Sequence, residues 1–188
     1  MKIFAVSFII VWLIVGLFFG IGGLTKLNSD ETLDNIQKKE VELLAKNFNP
    51  PLNVDGVTIS NEYLYQIYNE RHGLEKYFVW TVTLPKFTAL CITAMSFGLL
   101  GALVAIIRQL SLAGKTIVEV QYISLPLLGI LTGLVVLGIS YLLPTLITKG
   151  TNEIRPITLM FLCLFCGICS DNFYKKIENS FDKLFTGK

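Results

Sequence analysis

Few side chains in this sequence have the type and spacing that chemistry requires. The chain contains one histidine, His72, which follows Glu70 and Arg71 in a polar segment. A single histidine without a partner cysteine or serine forms no catalytic triad, although a pairing with Glu62 or Glu75 stays open. We therefore predict a protein that has no catalytic residues and is not an enzyme.

Three of the four cysteines recur at intervals of three residues: Cys163, Cys166 and Cys169. This spacing invites a metal or iron–sulfur interpretation. However, side chains three and six positions apart on a helix drift around its surface and do not converge on one ion. The neighbouring residues are apolar, so we predict packing, with no metal and no cofactor. Lipidation of Cys169 is the alternative.

The four long apolar runs of the sequence contain no acid, no histidine and no central basic residue. Proton-coupled transporters place such groups at mid-membrane, and intramembrane metalloenzymes need histidine or carboxylate ligands there. The nearest acid is Asp171, which directly follows the last run. The sequence favours a helix end that reaches the polar interface at this residue.

Pairs of small residues one helical turn apart are the most informative pattern in the apolar runs. In lipid, such faces let helices approach closely, and packing drives their association. The pattern predicts packing within one protomer or contact between subunits, and both interpretations stay open. The pairs are Gly16 with Gly20, Gly101 with Ala105, and Gly129 with Gly133.

The runs that carry these pairs have the length and composition of membrane spans. The sequence is 53% hydrophobic and only 16% charged, whereas a soluble domain carries about 25% charged residues. The runs cover residues 3–24, 87–107, 122–148 and 156–170. We expect helices, because in hydrocarbon the backbone N–H and C=O groups have no water to bond to and must bond within the segment. The runs also lack the alternation of polar and apolar residues that marks barrel strands. The first run is longer than the apolar core of a signal peptide, which favours an uncleaved membrane anchor.

The predicted fold is an all-α integral membrane protein with four transmembrane helices. A small extracytoplasmic helix-turn-helix cap separates the first two spans, and an amphipathic helix ends the chain. The predicted segments are transmembrane helix 1 (1–25), the cap (26–85), transmembrane helix 2 (86–108), a cytoplasmic loop (109–121), transmembrane helix 3 (122–148), a short outer loop (149–155), transmembrane helix 4 (156–172) and a cytoplasmic tail (173–188).

The predicted cap contains two helices around a turn. Residues 30–48 show apolar side chains at helical spacing after a capping residue, Ser29, and the prolines that follow are expected to end this helix. Asp55-Gly56 predicts a tight hairpin. The second helix is expected to start at Ser60 or Asn61 and to close at Gly73.

The distribution of cations predicts the orientation of the chain. With four spans both termini share a side, and the density of lysine and arginine, including Arg108, favours the cytoplasm for that side. In the tail, Phe173, Ile177 and Phe181 recur every four residues opposite charged side chains. This amphipathic pattern predicts a helix that lies on lipid or on protein, and the choice stays open.

The segments 98–108, 126–136 and 166–173, followed by the basic tail, resemble those of a loose group of small bacterial multi-span proteins. Some proteins of this outline serve as effectors beside phage-defence nucleases, including RNA-targeting CRISPR systems. The resemblance covers about residues 96–185 and implies a multi-pass protein of the bacterial inner membrane. No basic stripe with interleaved aromatic residues indicates nucleic acid.

Two functions are compatible with these patterns. The first is an oligomeric membrane protein that self-associates through the small-residue faces and forms or gates a pore, or perturbs the bilayer. The alternative is a non-catalytic accessory subunit of a larger membrane complex, with a protein partner bound through the cap at residues 26–85 or the tail at residues 173–188.

Overall fold

The computed structural model describes residues 2–113, 121–147 and 156–170, and side chains within 6–111, 122–142 and 156–170. The predicted site residues Asp171, Phe173, Ile177 and Phe181, the tail, and the short outer loop lie outside the described residues. The described elements are mostly helical. In order they are α1 (Lys2–Lys38), α2 (Glu40–Leu44), β1 (Asn47–Val54), β2 (Val57–Asn61), α3 (Glu62–Tyr77), a 3-10 turn (Val79–Thr81), α4 (Lys86–Ala113), α5 (Gln121–Ile147) and α6 (Pro156–Ile168).

Three described helices are long and apolar enough to cross a membrane, judged by length and composition. Their spans are Val6–Lys38, Lys86–Ser111 and Tyr122–Leu142. The helix Pro156–Ile168 is apolar but has only 13 described residues, against about 20 for a full crossing. The structure therefore supports three candidate spans of a multi-pass membrane protein, and the fourth span stays a prediction.

The sequence predicted that the first helix ends after its apolar run. In the structure, helix α1 continues to Lys38. The continuation carries an ion pair one turn apart, Lys26 Nζ to Asp30 Oδ1 at 2.8 Å, which stabilises a helix at this spacing. The expected cap, Ser29, therefore lies inside a helix and is buried. That part of the prediction is wrong, because no proline or left-handed glycine interrupts the segment between the two expected helices.

An antiparallel hairpin follows α2, so the all-α, helix-turn-helix description misses a two-stranded sheet. The predicted turn is confirmed: Asp55 and Gly56 take positive φ values of 49° and 81°, as a tight hairpin turn requires. Strand β1 starts at Asn47, within the expected helix. Its register with β2 is irregular between Asn47 and Leu52, the stretch that holds two prolines, which have no N–H to donate to the ladder.

Helix α3 begins as predicted and ends later than predicted. The Asn61 side chain accepts a hydrogen bond of 3.0 Å from the Leu64 backbone N–H, which caps the first turn. The helix passes Gly73 and reaches Tyr77. Leu74 is buried and its carbonyl accepts from the Phe78 N–H at 2.7 Å. These contacts hold the helix beyond a glycine that costs only about 1 kcal/mol.

The chain divides into two compact units. The helical unit comprises Met1–Ile21 and Leu90–Lys188, and its core joins α4, α5 and α6 through Ala94, Val136, Leu137, Leu159 and Cys163. The hairpin unit comprises Gly22–Ala89, and its buried apolar residues are Leu27, Ile36, Leu43, Ile59, Leu74 and Ala89.

Candidate functional site

The glycines of the small-residue pairs on α4 and α5 lie in contacts between helices of one chain. A Cβ atom at Gly101 would overlap the carbonyl oxygen of Leu164 on α6, and one at Gly133 would overlap the carbonyl oxygen of Ala94 on α4. At Gly129 it would lie 2.6 Å from the Ala102 Cβ. Backbone thus meets backbone at these positions, which accounts for the absence of side chains there.

Gly98 lies at the centre of this contact, although the sequence analysis did not select it. A Cβ atom at Gly98 would overlap the carbonyl oxygen of Gly129 and lie 2.9 Å from the Gly133 nitrogen, while a Cβ at Gly167 of α6 would overlap the Gly98 carbonyl. Gly98 therefore touches α5 and α6 together. Its position three residues before Gly101 was the available signal, since residues three apart share a helix face.

Helix α1 contacts α4 through the first predicted pair. A Cβ at Gly16 would lie 2.9 Å from Leu100 Cδ2, and one at Gly20 would lie 3.4 Å from the Ser96 Cβ. The second member of the α4 pair, Ala105, is half-buried, and the predicted interface residue Arg108 is exposed. Within the described residues, the small faces therefore serve packing inside the chain; a role in assembly stays a prediction.

Hydroxyl groups on α4 and α5 bond to their own helices. Ser96 Oγ donates to the Ile92 carbonyl and Thr132 Oγ1 to the Leu128 carbonyl, both at 2.7 Å. Such bonds to the fourth preceding carbonyl satisfy a hydroxyl without a neighbouring helix or water. These two side chains are buried and therefore do not line an aqueous path through the described helices.

The cysteine series does not assemble a metal site in the described part of the chain. Cys163 is buried and its Sγ lies 3.7 Å from the Gly133 carbonyl oxygen, whereas Cys169 is exposed. No group of three or more histidine, cysteine or acidic residues able to hold a metal is found among the described residues. The positions of Cys163 and Cys169 agree with side chains that drift around a helix.

A groove of about 330 Å³ lies between β2 and α3 in the hairpin unit. Strand β2 contributes Val57, Thr58 and Ile59. Helix α3 contributes an apolar part, Leu64 and Ile67, followed by charged and polar side chains. The polar lining comes from Tyr68, Arg71, His72 and Glu75.

Two groove residues bind the turn of the hairpin. The Tyr68 hydroxyl donates a hydrogen bond of 3.0 Å to Asp55 Oδ2, and His72 Nε2 lies 3.9 Å from the same oxygen. The two rings stack, with centroids 5.5 Å apart. Desolvation of the phenol and its hydrogen bond to Asp55 raise the pKa of Tyr68. His72 thus pairs with Asp55, and the two acids considered from the sequence, Glu62 and Glu75, are not its partners.

The other two charged residues that line the groove are Arg71 and Glu75. They lie one helical turn apart, yet neither takes part in an ion pair with a described residue. The groove therefore combines an apolar surface with one unpaired cation and one unpaired anion.

Comparison of the chain with protein-family models, with curated proteins and with solved structures finds no match. The resemblance to small bacterial multi-span proteins stays a prediction.

Proposed function

We propose that this chain is a non-catalytic accessory subunit of a membrane complex, in which the apolar helices anchor the hairpin unit and the hairpin unit docks a partner protein. The observation that carries the proposal is the backbone contact of Gly101 with α6 and of Gly133 with α4. Because the small faces are filled within one chain, a single protomer already has a closely packed helical unit.

The hairpin unit supplies the surface that such a subunit needs. Its groove has an apolar floor bounded by Val57 and Leu64, which are 47% and 43% exposed. Exposed apolar side chains with a polar rim are characteristic of protein contact sites. If the predicted fourth span forms, the cation distribution favours the outer side for this unit and the cytoplasm for both termini. The resemblance to small bacterial multi-span proteins implies that the membrane is the bacterial inner membrane.

The alternative proposal is a homo-oligomeric pore, with the phage-defence role that the resemblance implies. The broad apolar surface of α1 favours it: Val11 and Ile14 are 57% and 59% exposed, and a second copy of the chain can cover them as well as lipid can. The α4 and α5 glycines are committed to packing within the chain, so a pore would have to assemble on other surfaces such as this one.

The deciding measurement is the mass of the purified particle in nanodiscs, by light scattering or native mass spectrometry, together with dye release from vesicles. We expect one copy of this chain per particle and no dye release. A discrete homo-oligomer of several chains that releases dye would overturn the accessory function and establish the pore. The variant Val11→Trp offers a control, since a bulky apolar side chain at this exposed position would disrupt an α1 interface between copies without touching the helical core.

A further inference from the structure

We propose that the groove of the hairpin unit binds an extended segment of the partner protein, which adds as a third strand along the free edge of β2 and sets an acidic and a basic side chain against Arg71 and Glu75. The inference rests on the proposed docking function and specifies its ligand. It follows from the orientation of β2, the unpaired charges on α3 and the spacing between them.

The groove runs along the edge of β2. Three consecutive strand residues, Val57, Thr58 and Ile59, line it, whereas successive side chains of a strand point to opposite faces of the sheet. A cavity that touches all three therefore meets the edge of the strand. The opposite edge of β2 is occupied by β1. An unpaired edge presents N–H and C=O groups, and an extended peptide satisfies them by strand addition.

The charges on the facing wall define the side chains of the peptide. Tyr68 and His72 already contact Asp55, but Arg71 and Glu75 have no ion-pair partner within the described residues. A peptide acid beside Arg71 and a peptide base beside Glu75 complement both charges. The apolar stretch formed by Leu64 and Ile67 then receives an aliphatic side chain from the same face of the strand.

Helix and strand geometry set the spacing of the two charges in the peptide. Four residues of helix rise about 6 Å, which is the axial separation of Arg71 and Glu75. Two residues of strand rise about 6.6 Å and place their side chains on one face. The recognised motif therefore has an acid and a base separated by one residue. The groove volume of about 330 Å³ is at the small end of ligand sites, which fits a short motif.

The test uses the full chain in nanodiscs and two fluorescently labelled peptides of equal composition, acetyl-Val-Thr-Glu-Thr-Lys-Thr-Val-amide and acetyl-Val-Thr-Lys-Thr-Glu-Thr-Val-amide, in which valine, acid and base share one face of the strand. We expect anisotropy to show one charge order binding about fivefold more tightly, since each exposed ion pair contributes only about 0.2–1 kcal/mol. The double variant Arg71→Glu with Glu75→Arg should reverse that preference. An unchanged preference, or equal binding of both peptides, would overturn the charge assignment.

Strand addition has a separate test. Successive N–H groups of a strand point to opposite edges, so two peptides of the preferred order are needed, one N-methylated at its central threonine and one at the residue before it. Both keep every side chain, and we expect the one that loses the donor facing β2 not to bind while the other still binds. Undiminished binding of both would overturn strand addition. A monomeric, non-leaking particle that binds neither peptide would overturn the groove proposal and leave the accessory function standing. A leaking homo-oligomer would overturn the accessory function whatever the peptides do.

Discussion

The Tyr68 hydroxyl donates a hydrogen bond to the Asp55 carboxylate at 3.0 Å and so ties the middle of α3 to the turn of the hairpin. Asp55 is held in the left-handed region by that turn, which aims its carboxylate at α3. His72 stacks on the Tyr68 ring and lies near the same oxygen. One wall of the groove is thus fixed by contacts that do not use Arg71 or Glu75, which leaves both charges for a ligand.

The Tyr68–Asp55 contact should weaken in strong alkali. Because the pKa of Tyr68 is raised above its ordinary value of 10.0, the stabilisation is fully present below pH 10.0 and is lost as the pH rises through the raised value. Ultraviolet difference titration of wild type against Tyr68→Phe should show one phenol ionising above pH 10.0. A difference spectrum that titrates at or below pH 10.0 would contradict the hydrogen bond.

Replacing Ser29 with alanine should stabilise the hairpin unit by about 1 kcal/mol. Its hydroxyl is buried and has no hydrogen-bond partner among the described residues. An unsatisfied buried hydroxyl is costly, and alanine is the better helix former. Hydrogen exchange of α1 amides in nanodiscs measures the gain. Thr32→Ala is the matched control, because Thr32 Oγ1 donates to the Asn28 carbonyl at 2.9 Å and its loss should bring no comparable gain.

Glycines in the helical unit should differ sharply in their tolerance of alanine. Gly101→Ala should destabilise by about 1–3 kcal/mol, since its Cβ meets the Leu164 carbonyl oxygen and overpacked contacts cost this much. Gly138→Ala on α5 should not destabilise and should stabilise by up to about 1 kcal/mol, because nothing lies within 4 Å of its Cβ position and alanine is the better helix former. Thermal unfolding in detergent compares them. Equal effects would contradict the backbone contact.

Two glycines of the hairpin unit should respond to alanine in opposite directions. Gly56 has φ of +81°, and an L side chain in that region costs about 1–2 kcal/mol. Gly73 lies inside α3 with open space around its Cβ position, so Gly73→Ala should stabilise by about 0.5–1 kcal/mol. Hydrogen exchange of β2 and α3 amides measures both. A stabilising Gly56→Ala would contradict the turn geometry.

The sequence predicted the elements that are determined by residues near each other along the chain. Apolar runs of span length predicted helices, Asp55-Gly56 predicted a hairpin turn, and Asn61 was one of two residues predicted to start a helix. Each of these features depends on residues that are close along the chain. The end of α1 could not be read in the same way. A fall in hydrophobicity after residue 24 looks like a boundary, yet it changes only the surroundings of the helix and leaves its backbone hydrogen bonds intact.

The groove could not be predicted, because it depends on the register and orientation of separate elements. The sequence offered Glu62 and Glu75 as partners for His72, since both lie near it along the chain. The partner proved to be Asp55, which the hairpin brings back onto α3. Likewise, the sequence showed which helix faces are small but not which helices they meet, since that choice depends on how α4, α5 and α6 cross.

The contact of α1 with α4 has a consequence for the order of synthesis. Gly16 packs on Leu100, but the ribosome makes all of residues 39–85 between the end of α1 and the start of α4, and chains emerge at about 5–20 residues per second. For seconds α1 therefore exists without its partner. The glycine face of α1 is narrow, so little apolar surface lacks a packing partner during this interval. The large side chains around the rest of the helix, such as Ile10 and Ile14, suit α1 to lie alone in lipid until the later helices are inserted.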